Sequence, residues 1–365
     1  MTKESNLATT DFASNKVQDI RKTHLHPDFW YPVSKAKKLK KNKPLAVRFA
    51  GEPIVLVRTE SNTVFALENR CAHRQVPLSV GEVKGETIRC GYHCWTYDKT
   101  GRCVNVPYLD KNKQLPTGVK SYPCQEAYGL IFIFPGDPAK AETVPMPDIP
   151  VWHRDDYKTR YLDRKVKCHY SFMHENLMDM NHQFLHRRLM GSIRTVFLGR
   201  RNGEDWVECD YTFARRAGKQ HLGEKLIIRR NNNVDTTMKE ENDRDTMIIR
   251  TQYPYQTLTF RAGGSKEPEL SLWNVYIPLD KEQRRCHTFG LMMFKRPSRF
   301  PWLMEMFWPA IIWFTEGIFK EDRDIVELEQ LAFDEQGEDW NQEIFPIIQD
   351  LRTVLRNNGV YRPHQ

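Results

Sequence analysis

Cys71, His73, Cys90 and His93 constrain this chain more than any other residues. They form two short clips, Cys71-Ala-His73 and Cys90-Gly-Tyr-His93, with sixteen residues between them. Each clip offers one thiolate and one imidazole. A [2Fe–2S] cluster with two cysteines on one iron and two histidines on the other needs this ligand set. Neutral imidazoles in place of anionic thiolates raise its potential above that of an all-cysteine cluster. Tetrahedral zinc with Cys2His2 ligation is the alternative. Zinc fingers usually pair Cys with Cys and His with His, whereas here the types alternate within each clip.

The chain is long enough, at 365 residues, for about two domains. Its 40 % hydrophobic and 12 % aromatic content marks it as globular. Eight cysteines raise the question of disulfides. Two belong to the clips, and Cys94, Cys103, Cys124, Cys168, Cys209 and Cys286 are scattered, as in a reduced cytoplasmic protein. Residues 1–22 are polar, lack an apolar signal core and read as a flexible leader. The most apolar stretch, Phe300 to Phe319, has an uninterrupted core of nine residues, Met306 to Phe314, too short to span a bilayer. It reads as packing, as the lining of a large apolar pocket, or as a peripheral membrane contact.

The net charge of +8 helps to recruit acidic partners. The lysines at 35, 37, 38, 40, 41 and 43 read as a solvated turn or as a docking patch for an acidic electron donor. No aromatic platform accompanies them, which argues against nucleic acid.

Short apolar runs at 45–50, 54–58, 64–67 and 128–134, separated by turn residues, predict a compact β domain with the clips in two of its loops. Pro135-Gly-Asp-Pro138 and the stretch Pro145 to Pro150 mark a boundary. Phe172 to Met190 is helix-compatible. Strands are expected at 206–213, 225–230, 246–253, 258–261, 270–277 and 287–294, with helices at 311–330 and 340–356. This order predicts an α+β fold with a cavity between sheet and helix.

On a helix, His182 and His186, four residues apart, share one face and can bind one metal. A distant carboxylate would complete a 2-His-1-carboxylate facial triad with open positions. His169 and His174 are rival ligands nearby.

Asn69-Arg-Cys71-Ala-His73-Arg-Gln-Val-Pro77 and Cys90-Gly-Tyr-His93-Cys-Trp95 resemble the N-terminal domain of Rieske non-haem iron oxygenases. Cys94 stands where that family usually has Gly. Asn176, Asp179, His182 and His186 resemble its Asn-x-x-Asp-x-x-His-x-x-x-x-His motif, with three residues rather than four in the last gap. Glu321-Asp322 to Glu327 resembles its Glu-Asp-x-x-x-x-Glu stretch. That alignment selects Asp322 as third iron ligand, with Asp324 and Glu321 as alternatives.

The resemblance implies an all-β Rieske domain at 23–140 and a helix-grip (START-like) catalytic domain with an antiparallel sheet at 151–365. It implies a Rieske [2Fe–2S] cluster on Cys71, His73, Cys90 and His93, and mononuclear Fe(II) on His182, His186 and Asp322. Asp179 would bridge His182 of its own chain and the partner subunit's His93 in a homotrimer, with Asn176 supporting the iron ligands. O2 and a lipophilic substrate (sterol, terpenoid or aromatic) would be hydroxylated or oxidatively demethylated. Electrons would come from NAD(P)H through a separate reductase or ferredoxin, since no Gly-rich strand–helix turn for a dinucleotide appears here. The alternatives are the α-subunit of a ring-dihydroxylating oxygenase, or a Rieske electron-transfer protein without oxygenase activity.

Overall fold

The computed structural model describes residues 19–110, 112–191, 193–215 and 244–362. The N-terminal half is built from short antiparallel strands. Leu45–Phe49, Glu52–Arg58, Val64–Glu68 and Ser121–Tyr122 make one sheet, and Tyr31–Lys35, Leu130–Ile133 and Cys124–Ala127 make a second. Glu82–Lys84, Thr87–Arg89, Thr96–Tyr97 and Cys103–Asn105 form a small third sheet beside the clips. The continuous apolar run Ile54-Val-Leu-Val57 follows from burial on both faces. Ile54 and Leu56 pack into the main core, while Val55 and Val57 pack with Cys71, Cys90 and Tyr97 in a separate small core.

The second half is a seven-stranded antiparallel sheet. It runs from Tyr157–Val166 to Cys286–Lys295, then back through Leu270–Pro278, Tyr255–Arg261, Thr246–Gln252 and Trp206–Arg215 to Ile193–Asn202. Among the described residues the α-helices are α1 (Tyr170–Met178), α2 (Arg187–Met190), α3 (Trp302–Gln336) and α4 (Pro346–Asn358). No described helix is long and apolar enough to cross a membrane.

Several expectations need correction. Tyr157–Val166 and Ile193–Asn202 are strands that the apolar pattern hides. In the first, buried Arg160 and half-buried Lys158 and Arg164 reach along α3 to glutamates and aromatic rings. The helix expected from Ile311 starts at Trp302 and passes through Pro309. Pro309 and Glu305 are both exposed, so the carbonyl that proline leaves unpaired faces water. The expected strand at 225–230 lies outside the described residues.

Ile20–Lys22, expected at the end of a flexible leader, forms a 3-10 turn. Ile20 and Arg21 are buried, and Arg21 clamps Glu175 at 2.9 Å and 3.1 Å. Thr23–His24 pairs with Val360–Tyr361, so this segment belongs to the catalytic half rather than to the β domain it precedes.

The two halves share one apolar core that includes Trp30, Phe132, Trp273 and Tyr276. Asp163 ties them together. Its carboxylate takes Lys38 at 2.6 Å and Lys35 at 3.5 Å from one side, and His287 Nε2 at 2.7 Å from the other. Two lysines of the basic run are therefore engaged inside the molecule.

Candidate cluster site and metal centre

The two clips are built alike. Cys71 N–H donates to Val76 O (2.9 Å), Gln75 N–H donates back to Cys71 O (2.9 Å), and Gln75 turns the chain at φ 61°. Cys90 N–H donates to Trp95 O (2.9 Å), Cys94 N–H donates back to Cys90 O (3.1 Å), and Cys94 makes the turn at φ 62°. That left-handed position suits glycine. Cys94 thus sits at a turning point of the loop.

Both thiols face inward, with Cys71 and Cys90 each 2 % exposed. Tyr97 Oη lies 3.2 Å from Cys71 Sγ and accepts from Ala72 N–H at 3.1 Å. His73 and His93 are half-buried on the outer side, their ring centres 4.6 Å apart. His73 stacks flat on Trp95 at 4.7 Å, and Trp95 Nε1–H donates to Tyr108 Oη at 2.8 Å. Burial raises the Cys90 thiol, and the adjacent Cys71 adds to the rise. His73 Nδ1 is buried without a hydrogen-bond partner. Two thiols inside, two imidazoles outside and an orphaned ring nitrogen fit a mixed-ligand [2Fe–2S] cluster.

The second centre departs from the expected helix. Helix α1 stops at Asp179, and Met180–His186 continues as a 3-10 helix that Asp179 caps by accepting from Asn181 N–H at 2.8 Å. A 3-10 helix has three residues per turn, so a step of four rotates about 120° rather than the ~40° of an α-helix. The rings of His182 and His186 accordingly stand at 89° with centres 5.2 Å apart, converging on one point from two directions.

Each ring is held from behind. His182 Nδ1 donates to the Asp179 carbonyl, and His186 Nδ1 donates to Glu321 Oε2 at 2.9 Å. Both Nε2 atoms then face Asp322 Oδ1, at 3.6 Å from His182 and 3.2 Å from His186. The three ligand atoms lie within 4.8 Å of one another. His186 Nε2 and Asp322 Oδ1 are buried without a well-formed hydrogen bond. Burial opposes a charge on His186, but Asp322 and Glu321 outweigh it and raise its pKa. Donors this close, unsatisfied and of this type fit one divalent metal with open positions.

The alternatives separate cleanly. Asp324 points to solvent and pairs with Lys320 and Arg323. Glu321 orients His186. His169 caps α1, with Nδ1 2.7 Å from Ser171 Oγ. His174 is fully buried against Tyr276, and burial pushes its pKa down to about 3. Within the chain, the Asp179 carboxylate does not touch His182. It holds the Asn181 amide at 2.8 Å, and the contact to His182 comes from the backbone carbonyl instead. Asn176, half-buried on α1, takes no part in these contacts.

Sequence reasoning missed the Asp179 carbonyl and the orienting role of Glu321. The cavity expected between sheet and helix is present, and the alternation of Leu258 with Phe260 marks the sheet's inward face. That pocket, about 250 Å³, lies between sheet and α3 and ends on His182, His186 and Asp322. Its walls include Leu258, Phe260 and Met292 from strands and Met304, Ile311 and Phe314 from α3.

Residues 29–123 match the Rieske [2Fe-2S] domain family, and residues 166–346 match the vanillate O-demethylase oxygenase C-terminal domain family. A 4beta-methylsterol monooxygenase of Methylococcus capsulatus is 31 % identical over 352 residues, spanning 92 % of this chain and 89 % of that one. The oxygenase component of a dicamba O-demethylase of Stenotrophomonas maltophilia is 35 % identical over 159 residues, 43 % of this chain and 47 % of that one. A crystal structure of dicamba monooxygenase bound to dicamba shares the fold, with a TM-score of 0.70 at 22 % identity over 94 % of this chain and 97 % of that one.

Proposed function

Because this chain belongs to the Rieske non-haem iron oxygenases, mono-oxygenases with a [2Fe–2S] cluster and one mononuclear iron, we propose that it oxidises a sterol-sized lipophile. It hydroxylates or oxidatively demethylates that substrate as a terminal oxygenase. The observation that carries this reading is the convergence of His182, His186 and Asp322 at the end of an apolar cavity. A sterol fits better than a small aromatic acid, because most of the lining side chains are apolar. The relative that matches nearly the whole chain carries a sterol in its name. An electron carrier alone would need neither the triad nor the cavity.

In this reading Cys71, Cys90, His73 and His93 hold the cluster, and His182, His186 and Asp322 hold the iron. Bound there, the cluster supplies single electrons and the iron supplies the site at which O2 is activated. The chain's own residues prepare that chemistry. The Asp179 carbonyl and Glu321 fix both histidines with Nε2 forward. Asp322 brings one negative charge, which leaves a divalent ion a net positive charge. The hydrocarbon walls exclude water, so a carbon of the substrate, rather than solvent, meets the oxidant.

The protein works in this reading as a cytoplasmic homotrimer in peripheral contact with a membrane. Electrons reach it from NAD(P)H through a separate reductase or ferredoxin. The Asp179 carboxylate, turned away from its own His182, faces the partner's His93 and links the two metal sites between subunits. Iron analysis and a product screen test the proposal. About three irons per chain are expected, and two would sink it. With a surrogate reductase, oxidation of sterols in preference to methoxy-aromatics is expected, and the reverse preference would overturn the substrate class.

A further inference from the structure

The first half of α3 carries two apolar stripes on opposite faces. Met304, Ile311, Thr315, Ile318 and Asp322 recur at steps of seven, four, three and four, which keeps them on one side of a helix. All five line the cavity. Trp302, Met306, Pro309 and Trp313 recur at steps of four, three and four, about 180° away. These four are exposed, Trp302 by 60 % and Trp313 by 70 %, and Phe300 extends the patch. A helix apolar on its outer face as well as its inner one has surface to cover.

We propose that this outer stripe docks on a phospholipid bilayer and sets the cavity's far end at the lipid surface, so that the lipophilic substrate loads directly from the membrane. The proposal rests on the oxygenase reading above for its purpose, but its surface is defined independently. Two observations favour lipid over a second copy of the chain. The stripe presents two tryptophans, whose rings prefer the headgroup boundary. The stretch 295–313 carries Lys295, Arg296 and Arg299 against one carboxylate, Glu305, on a chain of net charge +8. Anionic headgroups complement that charge, whereas a second cationic copy would repel it.

The cavity also runs the right way. Along α3, Lys158 meets Glu305, Arg160 meets Glu316 and Arg164 covers Phe319, so α3 lies along the strand Tyr157–Val166. Lys295 pairs in register with Tyr157, and Lys295 and Glu269 both line the cavity. They therefore mark the end beside Met304, and Asp322 marks the other. Asp322 lies eighteen positions beyond Met304, about 27 Å along the helix. An elongated lipophile entering beside the exposed stripe would bring its leading end to the metal.

Flotation of the holoprotein with vesicles of phosphatidylcholine containing phosphatidylglycerol tests this. The wild type should float with the vesicles and show quenching of tryptophan fluorescence by brominated lipid. The double variant Trp302→Ser, Trp313→Ser should bind about tenfold more weakly or worse. It should keep its oligomeric state and its turnover of detergent-dispersed substrate. Absence of wild-type flotation overturns the proposal. So does a variant that changes oligomeric state, which would assign the stripe to a subunit contact. Equal flotation of a folded variant overturns it too. Flotation is read without turnover, so vesicle binding without sterol oxidation would refute the substrate reading and leave the docking surface standing.

Discussion

At the scale of single residues, the metal centre depends on what stands behind each ligand. Asp322→Ala should lose the mononuclear iron, keep the cluster's colour and lower turnover at least a hundredfold. Iron analysis with an absorption spectrum checks both parts, and full iron retention would move the third ligand elsewhere. Asp179→Asn separates two roles of one residue. Its carbonyl, which holds His182, survives the change, so the iron should stay. The carboxylate is lost, so turnover should fall while both metals remain. Cys94→Gly should stabilise the protein by about 1 kcal/mol, because glycine adopts φ 62° without a Cβ penalty. A denaturant titration that shows no gain would remove the strain assigned to Cys94. Motif spacing made the ligands legible in advance. It could not reveal a backbone carbonyl as a histidine's partner, because any residue at position 179 would have one.

At the scale of elements, Asp163 joins the β domain to the large sheet. Burial alone would raise its carboxyl, but His287, Lys38 and Lys35 reverse this and hold it well below the usual carboxylate range. A carboxyl lowered in the folded state stabilises above its unfolded pKa and ceases to do so as pH falls through its folded value. Asp163→Asn should therefore cost about 2–3 kcal/mol at neutral pH, and the gap should narrow below about pH 4. Denaturant titrations at both pH values measure this, and a gap that widens in acid would contradict the pairing. Strands with clean alternation, such as Thr246–Gln252, were legible in the sequence. Tyr157–Val166 was not, because its lysine and arginine side chains pack along α3 and pair there with glutamates, which breaks the apolar alternation. The 3-10 segment was hidden for another reason. Met180–His186 has no residue that forbids an α-helix, and its winding starts afresh from the cap at Asp179.

At the scale of the whole molecule, the β domain is bracketed by the catalytic half. Thr23–His24 pairs with Val360–Tyr361, and the chain then departs to build the cluster loops before it returns at Tyr157. No periodicity could announce this, since it depends on a two-residue pairing across more than three hundred positions. If electrons cross between subunits, two inactive variants should rescue each other. Co-expressed Cys71→Ser and Asp322→Ala chains should yield about a quarter of wild-type turnover, as intact clusters meet intact irons at random in a ring. No activity in verified mixed trimers would confine transfer to one chain.

The clasp between the chain's two ends has a mechanical consequence. A force applied at residues 23 and 361 would load two short paired strands and the ion pair of Arg21 with Glu175 first. A tether or fusion that pulls at these two positions would therefore test the clasp before the cluster loops that lie between them in the chain.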